Sequence, residues 1–146
     1  MSKIEVTLTE PSSVLFDIEK RAHAYPWSEI VFFQPLSAGT LWWSISVDKR
    51  IVGFANTQLV ADELTLHNIA IDPRYQGRGF GKFLLNDILN YADKHNALMF
   101  LEVRESNASA IHVYQQAGFS IVGRRPNYYA SDSGREDALV MRREIS

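Results

Sequence analysis

The chain has no cysteine among its 146 residues. That excludes a disulfide framework, a thiol nucleophile and a cysteine metal site. Its four histidines, at positions 23, 67, 95 and 112, are too scattered for metal-ligand spacing, so no metal is expected. No apolar run approaches the roughly 20 residues of a membrane span, and Met-Ser-Lys-Ile-Glu-Val at the N-terminus lacks the apolar core of a signal peptide. A strong charge of one sign is missing too. The formal net charge of −2 argues against nucleic-acid binding. Repeats, linkers and low-complexity tracts are absent, so one domain over 1–146 is expected, monomeric and cytoplasmic. What is present is a globular composition, with 46% hydrophobic and 22% charged residues.

The stretch from Leu64 to His95 organises the rest. Leu64 to Ile71 alternates and then turns continuously apolar, as a strand entering a core does. Asp72-Pro73 ends it, since proline has no N–H for a ladder. Gly77, Gly79 and Gly81 then make a loop without side-chain bulk that opens into a helix. Phe80, Phe83, Leu84, Ile88, Tyr91 and Ala92 are expected on one face of that helix. A strand, a glycine loop and a helix N-terminus together form an anion cradle, and Arg74, Arg78 and Lys82 place cations around it. A pyrophosphate seat over Gly77, Arg78, Gly79, Phe80, Gly81 and Lys82 is one reading. A glycine-rich turn that binds nothing is the other. A nucleotide P-loop is excluded, because Gln76 stands where its first glycine belongs and Phe83 where its Ser or Thr belongs. The dinucleotide fingerprint fails because its third glycine would be Lys82.

Along the rest of the chain, Ile4 to Leu8 alternates like a first strand. Ser12 or Ser13 caps a helix with Val14, Leu15, Ile18 and Ala22 on one face, and Pro26 breaks it. Ser28 can cap a short second helix. Tyr25 and Trp27 form either a hydrophobic plug or one wall of a substrate groove. Leu41–Val47, Ile51–Val60 and Leu64–Ile71 read as an antiparallel meander. Leu98–Arg104 is a further strand, interrupted by Glu102. Ser106 or Asn107 caps a helix carrying Ala110, Val113, Tyr114 and Ala117 on one face, with Gly118 as its terminator. Phe119–Gly123 and Ala138–Met141 close the chain, with a polar loop from Arg124 to Asp137 between them.

Three stretches in this order resemble the GNAT N-acetyltransferase superfamily: Ile69-Ala-Ile-Asp-Pro-Arg-Tyr-Gln76-Gly-Arg-Gly79-Phe-Gly81, then Glu102-Val-Arg-x-Ser-Asn107, then Tyr114-x-x-x-Gly118-Phe119. Over nearly the whole chain, Arg21-Ala-His-Ala-Tyr-Pro26-Trp27-Ser28-Glu29, Asn127-Tyr128-Tyr129 and Gly134-Arg-Glu-Asp-Ala138 are similar to the ribosomal-protein-alanine N-acetyltransferase (RimI) family. The resemblance implies a mixed α/β (α+β) fold, the GNAT acyl-CoA N-acyltransferase fold, in which a central, mainly antiparallel, splayed sheet is flanked by helices. It implies acetyl-CoA as the acetyl donor. The acceptor would be the N-terminal alanine of a small-subunit ribosomal protein, met as a basic N-terminal peptide. It assigns Ile69, Ala70 and Ile71 to the pantetheine arm, the Gly77–Lys82 loop to the pyrophosphate, and Asn107 to the cofactor near the pantetheine. Glu102 would be the general base and Tyr114 the general acid. Pro126 departs from the family, whose members often carry a basic residue there.

Acetyl transfer from a thioester to an amine needs a neutral amine, a stabilised oxyanion and a protonated leaving thiolate. A carboxylate within reach, or one water away, can take the amine proton. An α-amine with a pKa of about 7.7–8.0 asks less of that base than a lysine at about 10.4. Taken without the family, Glu102 could equally sit with Arg104 on a solvent face, and Tyr114 could be a packed core residue. Glu29, Glu105, Glu136 and Asp137 are candidates to meet a basic peptide, and Tyr128 with Tyr129 to clamp its backbone. The rival functions are acetylation of lysine or of a small-molecule amine, and a non-catalytic acyl-CoA-binding module.

Overall fold

The computed structural model describes residues 2–145. Seven strands form one sheet in the order β1-β2-β3-β4-β5-β7-β6: β1 (Ile4–Thr9), β2 (Thr40–Val47), β3 (Arg50–Val60), β4 (Glu63–Ile71), β5 (Leu98–Arg104), β6 (Ser120–Ser131) and β7 (Gly134–Arg143). Every pairing is antiparallel except that between β4 and β5. These two pair only over Glu63–Leu66 and Leu98–Leu101, although both strands run further. Beyond Leu66 the sheet therefore splays, and the far half of β4 has a free edge facing β5.

Helices cover both faces: α1 (Ser13–Ala22) and α2 (Glu29–Phe32) on one, α3 (Phe80–Lys94) on the other, with α4 (Ala108–Gln116) following β5. Side-chain alternation along β2 sends Trp43 towards α3 and Trp42 towards α1 and α2. In β4 that alternation is reset. Thr57 pairs with Leu66 but Asn56 with Asn68, so His67 is an extra, bulged residue. Leu64 and Leu66 therefore pack on the α3 side, while Ala70 packs on the α1 side. This bulge is why the strand stops alternating in sequence.

Two expectations are corrected. The segment Arg124–Asp137 is not a loop but most of a hairpin, with the β6–β7 turn at Ser131–Gly134. Its polar composition misleads because β6 is an edge strand and mostly exposed. Pro126 and Asn127 (φ 54°) fall in the irregularity between Arg125 and Tyr129, where no ladder N–H is needed. Phe83 is 41% exposed, and α3 is instead buried through Leu84, Leu85, Ile88, Leu89 and Ala92.

Candidate active site

Backbone groups build one half of the site. Asp72 N–H donates to Val52 O at 2.7 Å. With the β3–β4 register, this makes Ala70–Phe54 a hydrogen-bonded pair and leaves the amides of Ile69 and Ile71 facing the free edge. Ala70 therefore lines the groove, but its backbone belongs to β3, unlike those of its two neighbours. A groove of about 450 Å³ follows this edge and is closed opposite by Asn107, Ala110, Val113 and Tyr114.

The groove leads to the glycine loop. Gln76 Nε2 donates to Ile71 O at 2.9 Å and ties the loop to the strand end. Gly77 (φ 77°) and Gly79 (φ 86°) hold left-handed conformations, and a Cβ at either would meet open space rather than protein. The requirement at both is therefore conformational rather than steric. Gly79 caps α3 with no side-chain hydrogen bond, so the first N–H groups of a 15-residue helix point outward unpaired, as an anion seat requires. Of the three cations expected around it, Arg74 is engaged elsewhere. Its Nε and Nη2 reach Asp72 at 3.2 and 2.9 Å. Asp72 is 2% exposed and also receives Arg21 Nη2 at 2.7 Å. These partners, Arg74 first, hold its carboxyl well below the usual carboxylate range. Arg78 bonds Arg74 O at 3.2 Å and lies over the Tyr75 ring. Lys82 is exposed.

A second cavity of about 410 Å³ opens from the same splay and shares His23, Ile69, Asn107, Ala110 and Tyr114 with the groove. It brings Glu102 and Tyr114 together. In β5, Met99, Leu101 and Val103 are buried towards α3, so Glu102 and Arg104 face the cavity. Glu102 Oε1 meets Arg125 Nη2 at 3.2 Å, whereas Oε2 is buried without a hydrogen-bond partner. An unpaired buried carboxylate oxygen is costly and calls for a donor from outside the protein.

Tyr114 is fixed by the end of α4. Phe119 N–H bonds Tyr114 O at 3.0 Å and Gly118 N–H bonds Gln115 O at 3.1 Å, a Schellman motif in which the Tyr114 and Phe119 rings pack at 5.8 Å. Burial, with Tyr129 nearby, pushes the Tyr114 phenol up to about 12, so it stays protonated. At the other end of α4, Asn107 accepts from Ala110 N–H at 3.2 Å through Oδ1. The cap engages that oxygen and not the amide nitrogen, and Asn107 lines both cavities.

Side chains build the outer half. Arg104 lies over the rings of Tyr25 (4.8 Å) and Tyr129 (4.5 Å), and its Nη1 contacts Glu136 at 3.0 Å. Tyr25 also bonds Asp132 in the β6–β7 turn. The segment after α1 is thus latched to the β6–β7 hairpin over Glu102. From beneath, the 1% exposed Glu19 accepts from Trp27 N–H (2.8 Å) and Asn68 Nδ2 (2.9 Å). Three of the four acids expected to greet a basic peptide are engaged within the protein: Glu136 with Arg104, and Glu105 and Asp137 with Arg124. Sequence reasoning missed His23, His67, Arg104 and Arg125 at the site. Only Arg104 carried a signal, as the residue two beyond Glu102 on the same strand face.

Residues 10–119 match the family profile described as Acetyltransferase (GNAT) family. The chain is 42% identical over 147 residues to the ribosomal protein bS18-alanine N-acetyltransferase of Salmonella typhimurium, covering 100% of this chain and 99% of that protein. The crystal structure of the ribosomal-protein-S18-alanine N-acetyltransferase from Escherichia coli superposes with a TM-score of 0.92 at 39% identity, over 99% of this chain and 95% of that one. A GNAT family acetyltransferase from Elizabethkingia anophelis with acetyl-CoA bound shares the fold, with a TM-score of 0.81 at 19% identity over 97% and 98% of the two chains. Among the described residues no group of His, Asp and Glu could hold a metal, and no helix is long and apolar enough to cross a membrane.

Proposed function

Starting from the chain's membership of the acetyltransferase (GNAT) family, we propose that it transfers an acetyl group from acetyl-CoA to the N-terminal alanine of ribosomal protein bS18, in the cytoplasm. The observation that carries the reading is the unpartnered Glu102 Oε2, in a cavity shared with Tyr114 and opening onto the free β4 edge. The alignment with a bS18-alanine N-acetyltransferase along the full chain names the acceptor.

Acetyl-CoA supplies an activated acyl group as its thioester. Ile69 and Ile71 hold the pantetheine arm along the strand edge, as an added strand would be held. The free amides of Phe80, Gly81 and Lys82 at the start of α3, reached past Gly77, Arg78 and Gly79, take the pyrophosphate. The Asn107 amide nitrogen donates to the arm near its reactive end.

The substrate α-amine attacks the thioester carbon, and Glu102 Oε2 accepts its proton directly or through one water. An outward β4 amide, that of Ile71, donates to the developing oxyanion. As the carbon–sulfur bond breaks, Tyr114 donates a hydrogen bond to the leaving sulfur and then its proton. A phenol at about 12 is a weaker acid than a thiol near 8.5. Tyr114 therefore acts first as a hydrogen-bond donor, and the phenolate recovers its proton from solvent. Placement of both reactants supplies much of the rate.

The α-amine is the natural acceptor at neutral pH, where roughly a tenth of it is already unprotonated but well under about 1% of a lysine is. Thiol release from acetyl-CoA should require a basic peptide with a free N-terminal alanine. It should vanish when that N-terminus is blocked and the lysines are kept. Equal release from both peptides would instead indicate a lysine acetyltransferase.

A further inference from the structure

β4 and β5 pair only as far as Leu66 and Leu101. The next residue on β4 is His67 and the next on β5 is Glu102, so the two stand side by side where the sheet opens. Both line the reaction cavity. Adjacent strands lie about 4.8 Å apart, and the Glu102 charge is felt at the imidazole. His67 is also the bulged residue of β4, and a bulge re-aims a side chain.

The neighbours of His67 fix its tautomer. Gln58 Nε2 donates to Ala38 O at 3.2 Å, and a carbonyl only accepts, so the Gln58 amide has one orientation. Its oxygen therefore meets His67 Nε2, at 3.2 Å. An amide oxygen also only accepts, so Nε2 carries the hydrogen and Nδ1 of the neutral ring carries a lone pair. Desolvation keeps the pKa of the ring below its ordinary 6.5, against the opposing pull of Glu102. The ring is therefore neutral at neutral pH.

An amine about to attack has two N–H groups and one lone pair. The lone pair must point at the thioester carbon, so both hydrogens need acceptors. Glu102 takes one through Oε2, its Oε1 being held by Arg125 at 3.2 Å. The other carboxylate and amide oxygens among the side chains of the cavity are engaged: Glu19 by Trp27 N–H and Asn68 Nδ2, Asn68 Oδ1 by His23, and Asn107 Oδ1 by the α4 cap. We propose that His67 Nδ1 accepts the second N–H of the substrate α-amine and so aims its lone pair at the thioester. The proposal rests on the N-terminal acetyltransferase reading. The titratable and charged groups that share the cavity with His67 are Glu19, His23, Tyr25, Glu102, Arg104, Tyr114 and Tyr129. Of these residue types only histidine ordinarily titrates between about pH 5 and 8, which makes His23 the control.

The readout is kcat/KM against pH, with a peptide that has a free N-terminal alanine. Protonation of the α-amine alone gives a log–log slope of about one below its pKa. Protonated His67 has no lone pair to offer, so the slope should steepen to about two between about pH 5 and 6. His67→Asn supplies an amide oxygen in place of Nδ1 and does not titrate. It should keep kcat/KM within about threefold at about pH 7.5 and return the slope to about one. His67→Phe should lose about tenfold, with acetyl-CoA affinity unchanged by calorimetry. Activity of His67→Phe within about twofold of the unaltered protein would overturn the proposal, as would equal losses in His67→Phe and His67→Asn. A steep limb that persists in His67→Asn, or is lost instead in His23→Asn, would overturn it too. If the unaltered protein turned over no peptide, the acetyltransferase reading would fall, and this proposal with it.

Discussion

The two halves of the site are made of different material. The donor half, from the β4 edge through Gln76 to the start of α3, is mostly backbone: outward amides at Ile69 and Ile71 and an uncapped helix N-terminus behind Gly79. The acceptor half is mostly side chains brought from far along the chain. Tyr25 reaches Asp132, 107 residues away, and Arg104 reaches Glu136, 32 residues away. A ligand shared by many enzymes can be held by groups every residue carries, whereas a particular peptide needs particular side chains. Glu102 and Tyr114 stand at the junction.

If that division holds, the largest effects come at the junction and leave the donor half intact. Tyr114→Phe and Glu102→Gln should each lower kcat by about 10²–10⁴, the usual worth of a placed acid or base. Acetyl-CoA affinity, read by calorimetry, should change little. The pH profile should carry the same mark. A phenol at about 12 is protonated at all lower pH, so kcat/KM should rise through the α-amine pKa and stay level to about pH 10.

Next in size is the joint of the donor half. Asp72→Asn removes the buried carboxylate shared by Arg21 and Arg74 and should cost about 2 kcal/mol of stability in urea unfolding. Because the folded carboxyl lies below its ordinary value of 3.8, its contribution is complete above that pH and is lost as pH falls below it. The variant should therefore lose part of the protein's acid sensitivity.

A smaller effect is expected at the loop. Gly79→Val forces a β-branched residue to φ 86°, at about 1–2 kcal/mol. Acetyl-CoA should bind roughly tenfold more weakly, with peptide KM unchanged. The smallest test runs the other way. Arg104→Met removes two cation–π contacts and an ion pair and should raise peptide KM about fivefold, with acetyl-CoA binding intact. Parallel losses of both substrates in either variant would break the division.

The same division explains what was legible in the sequence. Strand, glycines and helix are contiguous, so the donor half could be read from spacing. Arg74, expected among the cations around the loop, is held by a partner two residues away that competes for the guanidinium, and Phe83 lies off the buried face of α3. The fold class was legible too, because the strand and helix patterns are local. The acceptor half was not, because Glu105, Glu136 and Asp137 look free in sequence until β6 and β7 bring Arg124 and Arg104 to them. That hairpin was itself hidden, since an exposed edge strand carries no hydrophobic alternation. The His67 bulge left only an indirect trace, the loss of alternation along β4.

The most direct test is to incubate the protein with acetyl-CoA and intact bS18 and to locate the acetyl group by fragmentation mass spectrometry. A single acetyl on the α-nitrogen of the N-terminal alanine, with every lysine unmodified, is the expected result. Acetyl groups on lysine side chains with a free N-terminus would contradict it.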